Sequence, residues 1–475
     1  MAVTSADACR SPEAQHSAAD SGSTCTGSSE NGNNGFWDPA SWIPPGWASR
    51  HSSRSAERGS GVWAGESDES RDARPKRILL MWSATGGGHR ASAEAVKAGI
   101  EELYGDKYHV DSVDMWADHM EWPTNQLGKA YNFAVKNSWV WKCVFNAPEP
   151  LHEFNNELQA KFNDKKLGAA FQELRPELVV SLHPVMQHVP LRVLGRLRKR
   201  GVLNRPPAFA TVVTDLSEGC HHLWFHKGVD RCFVPIEEVK EKAVRRGLSE
   251  EQVTIHGLPV RPAFAKEQLP KAELRQWLGL ETDAKIALLV GGGEGMGPLI
   301  PTLQAIKESG CACQLVVICG KNAKLQERVA KDDWGPHLRL CVQGFVTNMN
   351  EWMAACDCII TKAGPGTIAE ALICGLPILL NAFIPCQEEG NIPYVQNYRV
   401  GTYKSSPKDV AATLKQWFSP EYEAELRAMA ERAREIAKPQ ATFDICRSLV
   451  ELLEDRTAAS SAAGVSSSPP VQGSV

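Results

Sequence analysis

Two strand–glycine–helix units constrain this chain more than any other feature of its sequence. The first is RILLMWSA, then TGGGH, then the helical pattern RASAEAVKAGIEELYG, beginning at Arg77. The second is KIALLVGGG near Lys285, then PLIPTLQAIKESG. A nearly continuous apolar strand suits a parallel sheet covered on both faces, where polar alternation is not needed. A strand that ends in glycines and turns into a helix opens a βαβ unit. After the first unit come YHVDSVDMW, LVVSLHP (178–184), AFATVVTD (208–215), RCFVP (231–235) and VTIHG (253–257), with a helix over 236–247. After the second come QLVVICG, RLCVQGFV, DCIITKAG, a helix from Pro365 to Cys374, and PILLN. The pattern predicts an α/β protein of two Rossmann-like, doubly wound domains facing across a cleft. Pro and Gly cluster in GLPVRPAF (257–264), which places the boundary there: residues 75–260 form one domain and 261–455 the other.

The ends differ from this body. Residues 1–74 hold 15 Ser, 8 Gly, six Arg, no Lys and ten acidic residues, with no hydrophobic period. They read as a disordered segment. A Ser-rich leader suits an organelle transit peptide, but acidic residues are scarce in such peptides. Four tryptophans (Trp37, Trp42, Trp47, Trp63) hint at docking. Residues 456–475 read as a disordered tail. The tail at the front carries a net charge of −4, which is the formal charge of the whole 475-residue chain, so the body is neutral. A neutral body argues against nucleic-acid binding, which needs a basic footprint. No run of about 18 apolar residues occurs, so no membrane-spanning helix is expected. The fourteen cysteines lie mostly in apolar segments, as buried reduced thiols do. Cys311/Cys313 and Cys356/Cys358 are spaced by one residue, which does not suit zinc.

Three loops carry candidate chemistry. In TGGGHRASAEA, the glycines (Gly87 and Gly88 among them) allow close approach to a helix N-terminus. Gly86, Gly88 and Ala91 also fit a dinucleotide fingerprint, with Asp111 or Asp114 as the following acid, so a nicotinamide-dependent dehydrogenase competes. His89 in this loop suits a base, with a capping or packing histidine as the other reading: its place between strand and helix points the ring into the cleft, and the helix dipole disfavours imidazolium. LLVGGGEGMGP (288–298), with Gly292, Gly293 and Glu294, can bend around a sugar or phosphate, or act as a hinge. TKAGPGTIAEA (361–371) is the most specific. Its helix N-terminus at Gly366 and Thr367 can hold a phosphate without a metal, and Glu370 one turn in can grip a ribose diol. Gln387, Glu388 and Asn391 in PCQEEGN suit sugar hydroxyls. No Asp-x-Asp pair stands near these loops, which fits a metal-independent site with no cofactor.

Two segments suit a lipid surface. Residues 122–146 interleave six aromatics with Lys129, Lys136 and Lys142, and RVLGRLRKR (192–200) brings five basic groups, among them Arg196, Arg198 and Arg200. A non-catalytic lipid-binding protein would keep these surfaces and need neither His89 nor Glu370.

The motifs ATGGGHRASAEA, HPVMQHVPLRVL, HHLWFHKGVDRCFVP, HGLPVRPAF, VGGGEGMGP, QGFVTNMNEWM, TKAGPGTIAEA and QEEGNIPYV together closely resemble the monogalactosyldiacylglycerol synthases of plants and algae, over about 76–404. The resemblance implies a GT-B glycosyltransferase that moves galactose from UDP-galactose to diacylglycerol with inversion, peripherally on the chloroplast envelope. It implies His89 as general base and a donor site of Gly292, Gly293, Glu294, Phe345, Val346, Glu370, Gln387, Glu388 and Asn391, with the uracil held by backbone groups of Phe345 and Val346. It implies acceptor or anionic-lipid effects at Pro123 and Trp224, with phosphatidylglycerol and phosphatidic acid as activators. A homodimer is compatible with it. Cys386 departs from the pattern, which has Gly before Gln-Glu.

Overall fold

The computed structural model describes residues 74–85, 87–203, 205–291 and 298–465. The N-terminal disordered segment expected over 1–74, apart from its last residue, and the glycine-loop residues Gly292, Gly293 and Glu294 lie outside them. Among the described residues, twelve strands form two six-stranded parallel sheets. The first takes β1 (Lys76–Trp82), β2 (Tyr108–Asp114), β3 (Leu178–Ser181), β4 (Ala208–Val212), β5 (Arg231–Val234) and β6 (Val253–Ile255) in the order β2-β1-β3-β4-β5-β6. The second takes β7 (Ile286–Val290), β8 (Cys313–Ile318), β9 (Leu338–Gln343), β10 (Cys358–Lys362), β11 (Ile378–Ala382) and β12 (Gly401–Tyr403) in the order β12-β11-β10-β7-β8-β9. Every ladder is parallel. The central strands β3, β4, β7 and β8 are buried along their whole length, as their Val, Leu, Ile and Ala runs require.

In each sheet the order reverses beside the strand that opens its domain: between β1 and β3 in the first, between β7 and β10 in the second. Loops at such reversals splay apart at the carboxyl ends of the strands and leave a crevice for ligands. The loop carrying His89 follows β1, and the Gly364–Thr367 loop follows β10.

Seven helices matter below: α1 (Gly87–Tyr104), α2 (Leu127–Lys136), α3 (Ser138–Phe145), α4 (Glu149–Phe162), α5 (His188–Lys199), α6 (Pro365–Ile373) and α7 (Ala441–Val465). The last corrects the expected domain boundary. Residues 441–455 do not stay with the C-terminal sheet. Ile445, Leu449 and Leu453 join the core formed by Ile78, Leu80, Val96 and Ile100 of the N-terminal domain. The Tyr108 hydroxyl donates to Glu454 at 2.7 Å, and Lys76 pairs with the same carboxylate. The fit is close: a Cβ on Gly99 of α1 would stand 2.8 Å from Cys446 Sγ. The helix also runs to Val465, so the first part of the tail expected to be disordered from 456 is helical. Its apolar residues find a face on α1, distant in sequence, and composition could not show that.

The described cysteines are free, and most are buried, as expected. No helix among the described residues is long and apolar enough to cross a membrane.

Candidate active site

His89 lies in the first turn of α1 and is only 6% exposed. Its ring does not stand open in the cleft, as the loop position suggested. It packs 4.4 Å from the His183 ring and 6.0 Å from Trp224, with Nδ1 3.0 Å from Thr214 Oγ1. A further hydrogen bond joins the ring to the Leu182 backbone. Burial pushes its pKa down to about 4, against the smaller opposing effect of the Leu182 bond, so the ring is neutral at pH 7. Neutrality was expected from the helix dipole; desolvation is what supplies it. His183, buried beside it and 2.6 Å from the Thr85 hydroxyl, is likewise held neutral by burial.

Asp215 follows Thr214 at the end of β4. Burial raises its carboxyl to about 6, although the Trp224 indole N–H donates to it at 2.6 Å. Trp224 is fully buried in the core, where it braces Asp215 and the His89 ring rather than standing on the surface. This corrects the acceptor-contact role implied for it. Pro123 is exposed and precedes α2. Gly88 is exposed, with open space where a Cβ would stand. Asp111 pairs with Arg77 at 2.9 Å, and Asp114 accepts from the backbone N–H of Ala84 and Ala117. Both acids thus serve the fold, which removes the ribose acid a dehydrogenase would need.

Across the cleft, α6 begins at Pro365 with Gly364 as its cap and no capping side chain. The first-turn N–H groups of Gly366 and Thr367 therefore remain for an anion. Glu370, one turn on, is paired with Arg261 of the interdomain linker, 2.8 Å away. Burial raises the Glu370 pKa while Arg261 lowers it, burial being the larger effect. The Arg261 guanidinium also donates to the Thr347 carbonyl, beside Phe345 and Val346. Phe345 is exposed, with Lys321 near its ring, and Val346 packs on the core. The sequence placed Arg261 only in a linker; its spacing gave no sign of this contact.

The PCQEEGN loop is held from several sides. Glu388 is buried, pairs with Lys362 at the end of β10 and accepts from the Ile384 N–H at 2.9 Å. Asn391 is buried too, and its amide donates to the Ala363 carbonyl at 2.8 Å. These two side chains tie the loop to β10, while Asn391 Oδ1 has no hydrogen-bond partner. Gln387 accepts from the Tyr131 hydroxyl of α2 at 2.7 Å. Cys386 has φ +64°, the left-handed region that glycine occupies without cost, which gives a physical reason for the glycine the resembled pattern has there. The domains touch at this loop: a Cβ on Gly390 would collide with Ser217, and Gly219 Cα lies 3.5 Å from it.

An exposed apolar layer lies on the N-terminal domain. Trp122, Phe133, Trp139 and Val144 are exposed. So are Leu151, Phe154, Leu158 and Phe162 of α4, spaced three, four and four residues apart on one helical face. That face was legible as an i, i+3, i+7, i+11 period. The basic stretch on α5 reads differently once folded. Arg196 pairs with Glu157 at 2.8 Å and approaches Asp164; Arg200 pairs with Asp164 at 2.5 Å; Arg192 pairs with Glu153 and Glu157. These arginines are neutralised by acids from α4 and the helix after it, and only Arg198 and Lys199 stand exposed without such a pair being formed in the cluster. Three histidines, His152 of α4 with His221 and His222, gather with ligand atoms within 4.8 Å of one another. Lys242 and Arg246 line the same hollow, and both ring nitrogens of His221 are engaged, by the Phe145 carbonyl and the Leu223 N–H, which opposes a cation there.

Comparison with known proteins decides the family. The family model described as monogalactosyldiacylglycerol (MGDG) synthase matches residues 89–260. Monogalactosyldiacylglycerol synthase 1, chloroplastic, of Arabidopsis thaliana is 45% identical over 392 residues, covering 81% of this chain and 72% of that protein. This chain belongs to the monogalactosyldiacylglycerol synthase family. The spinach (Spinacia oleracea) monogalactosyldiacylglycerol synthase, chloroplastic, is 46% identical over 391 residues, covering 80% and 73%. The glycosyltransferase family 28 C-terminal domain model matches 286–392, the half that holds α6 and the PCQEEGN loop. The crystal structure of MurG from Acinetobacter baumannii superposes with a TM-score of 0.50 at 14% identity, over 79% of this chain and all of that one, which supports the fold alone. A member of this family with two such sheets is a GT-B glycosyltransferase, an enzyme of galactolipid synthesis, and neither the dehydrogenase nor the non-catalytic lipid binder.

Proposed function

We propose that this enzyme transfers galactose from UDP-galactose to the free hydroxyl of 1,2-diacylglycerol with inversion, without a metal or cofactor, at the surface of the chloroplast envelope. The observation that carries this reading is the closed contact at Gly219 and Gly390. It sets the His89–Thr214–Asp215 edge of one domain against the Gln387–Asn391 loop of the other, in a chain 45% identical to a monogalactosyldiacylglycerol synthase.

The UDP is held by the C-terminal domain. The first-turn N–H groups of α6 take the diphosphate, Glu370 the ribose diol, and the backbone at Phe345 and Val346 the uracil. Gly292, Gly293 and Glu294 complete the donor side. The helix N-terminus does for the leaving diphosphate what a divalent cation does elsewhere. Gln387 meets the hexose. His89, neutral at working pH, exchanges its bond to Thr214 for one to the acceptor hydroxyl and takes its proton as the bond to the anomeric carbon forms. Asp215 is the alternative base, with its carboxyl raised to about 6.

The exposed apolar face of α2, α3 and α4 supports peripheral docking on lipid, where the acceptor is dissolved. Phosphatidylglycerol and phosphatidic acid are the anionic lipids it would meet as activators, with Lys129, Lys142 and Arg198 exposed near it. Incubation with radiolabelled UDP-galactose and diacylglycerol should yield labelled monogalactosyldiacylglycerol. Equal use of UDP-glucose, or no lipid product, would overturn the substrate assignment.

A further inference from the structure

Two side chains of the lipid-facing hairpin reach across the cleft. Tyr131 of α2 donates its hydroxyl to Gln387 Oε1 at 2.7 Å. Trp141 of α3 donates its indole N–H to the Pro385 carbonyl at 2.8 Å. The two rings meet edge to face, centroids 5.1 Å apart, so each holds the other in place. We propose that Tyr131 and Trp141 are positioning residues for the donor sugar: from the acceptor domain they set the Pro385–Gln387 turn of the donor domain, so that hexose recognition requires both domains together. This rests on the reading that Gln387 contacts the hexose.

The chemistry of the amide carries the argument. A glutamine side chain has an acceptor end and a donor end, and it can flip between them. With its oxygen committed to the Tyr131 O–H, its NH2 must point the other way and donate. A donor suits a sugar hydroxyl oxygen. Without the tyrosine hydroxyl, both amide orientations become available and part of the binding free energy is spent choosing one. Burial, then the carboxylates of Glu388 and Asp215, raise the Tyr131 pKa, so the hydroxyl keeps its proton and keeps donating.

The turn needs holding for a second reason. Cys386, between the two gripped residues, sits in the left-handed region. A non-glycine residue there is strained, so fixed neighbours are required to keep it. Trp141 fixes one side through Pro385, and Tyr131 the other through Gln387. The same two helices expose Phe133 and Trp139. Whatever holds the hairpin on a lipid surface therefore also holds the donor turn.

The test uses the full chain and compares UDP with UDP-galactose by calorimetry. Tyr131→Phe should leave UDP affinity within about twofold and weaken UDP-galactose about five- to tenfold, the loss of one neutral hydrogen bond. A merely structural role would move both ligands together. In a Gln387→Ala background the same substitution should have no further effect on UDP-galactose. Trp141→Phe keeps an aromatic ring against Tyr131 while removing the N–H donor, and it should show the same selective loss. The proposal falls if UDP-galactose affinity is unchanged in both variants, if UDP affinity falls equally, or if the Tyr131 effect persists in full without Gln387. A parent enzyme that makes no galactolipid but binds UDP-galactose in a Tyr131-dependent way would overturn the acceptor reading and leave this one standing.

Discussion

At the residue scale, His89 and Glu370 face opposite constraints. His89 is buried and neutral; Glu370 is buried and paired. His89→Gln keeps a hydrogen-bonding side chain of similar reach and removes the basicity. It should lower kcat by about 10²–10⁴, roughly 3–5 kcal/mol of barrier, while UDP affinity holds, because the donor groups belong to the other domain. The base is competent only when neutral. With its pKa lowered to about 4, the acidic limb of kcat/KM assigned to it should lie well below the ordinary histidine range near 6.5. A limb near 6 that survives His89→Gln would move the role to Asp215. Glu370→Ala should raise the donor KM and weaken UDP by about 2–4 kcal/mol, as charge-assisted bonds to the ribose are lost. Unchanged UDP affinity by calorimetry would remove Glu370 from the ribose.

At the element scale, α4 and α5 exchange the roles that composition suggests for them. The arginines of α5 form a strongly basic run in sequence, yet Arg192, Arg196 and Arg200 are spent on Glu153, Glu157 and Asp164. Arg196→Ala should therefore cost about 1 kcal/mol of stability, read as a lower denaturation midpoint, with little change in vesicle binding. The apolar face of α4 is instead the lipid candidate, with Phe154 67% and Leu158 55% exposed. Each such side chain gains about 1.5–3 kcal/mol on leaving water. Replacing both with Ser should lower sedimentation with phosphatidylglycerol vesicles at least about tenfold, without lowering the melting temperature. Equal sedimentation would show that the exposed face does not insert.

At the scale of the whole molecule, stability depends on histidines kept neutral by burial. His89 is lowered to about 4, His188 and His221 to about 3, and His183 is lowered strongly. In each, the folded pKa lies below the unfolded value near 6.5. Between the two, the unfolded chain binds more protons, so stability falls as pH falls through this window. His89 alone loses about 2 kcal/mol by pH 5. Asp215, raised from 3.8 to about 6, runs the other way, by about 1 kcal/mol between pH 7.5 and 5. The histidines outnumber it. Guanidinium midpoints should drop from pH 7.5 to pH 5; a constant or rising midpoint would contradict the buried neutral rings. The C-terminal helix binds the molecule together as well. Removing residues 441–465 should unfold the N-terminal domain, because Ile445, Leu449 and Leu453 complete its core.

The local pattern of the chain by itself determined the two sheets. Eleven of the twelve strands among the described residues stand in it, the central ones as apolar runs, since strands buried on both faces leave no alternation to misread. The exception is β12, whose Gly401–Tyr403 (GTY) at the sheet edge contains no apolar run. The loops at the strand ends were legible too, because glycines before a helix mark a backbone that must come close to something. Tertiary structure decided whatever depends on residues far apart in sequence. It turned the His89 ring inward against His183 and Trp224, closed Arg261 onto Glu370, and brought Tyr131 to Gln387 over 256 residues of chain. It also spent the basic run of α5 on acids and returned the last helix to the first domain. A residue's type fixes what it can bond to; only the folded chain fixes which partner arrives, because a hydrogen bond or an ion pair acts over a few ångströms and carries no trace in the spacing of one segment.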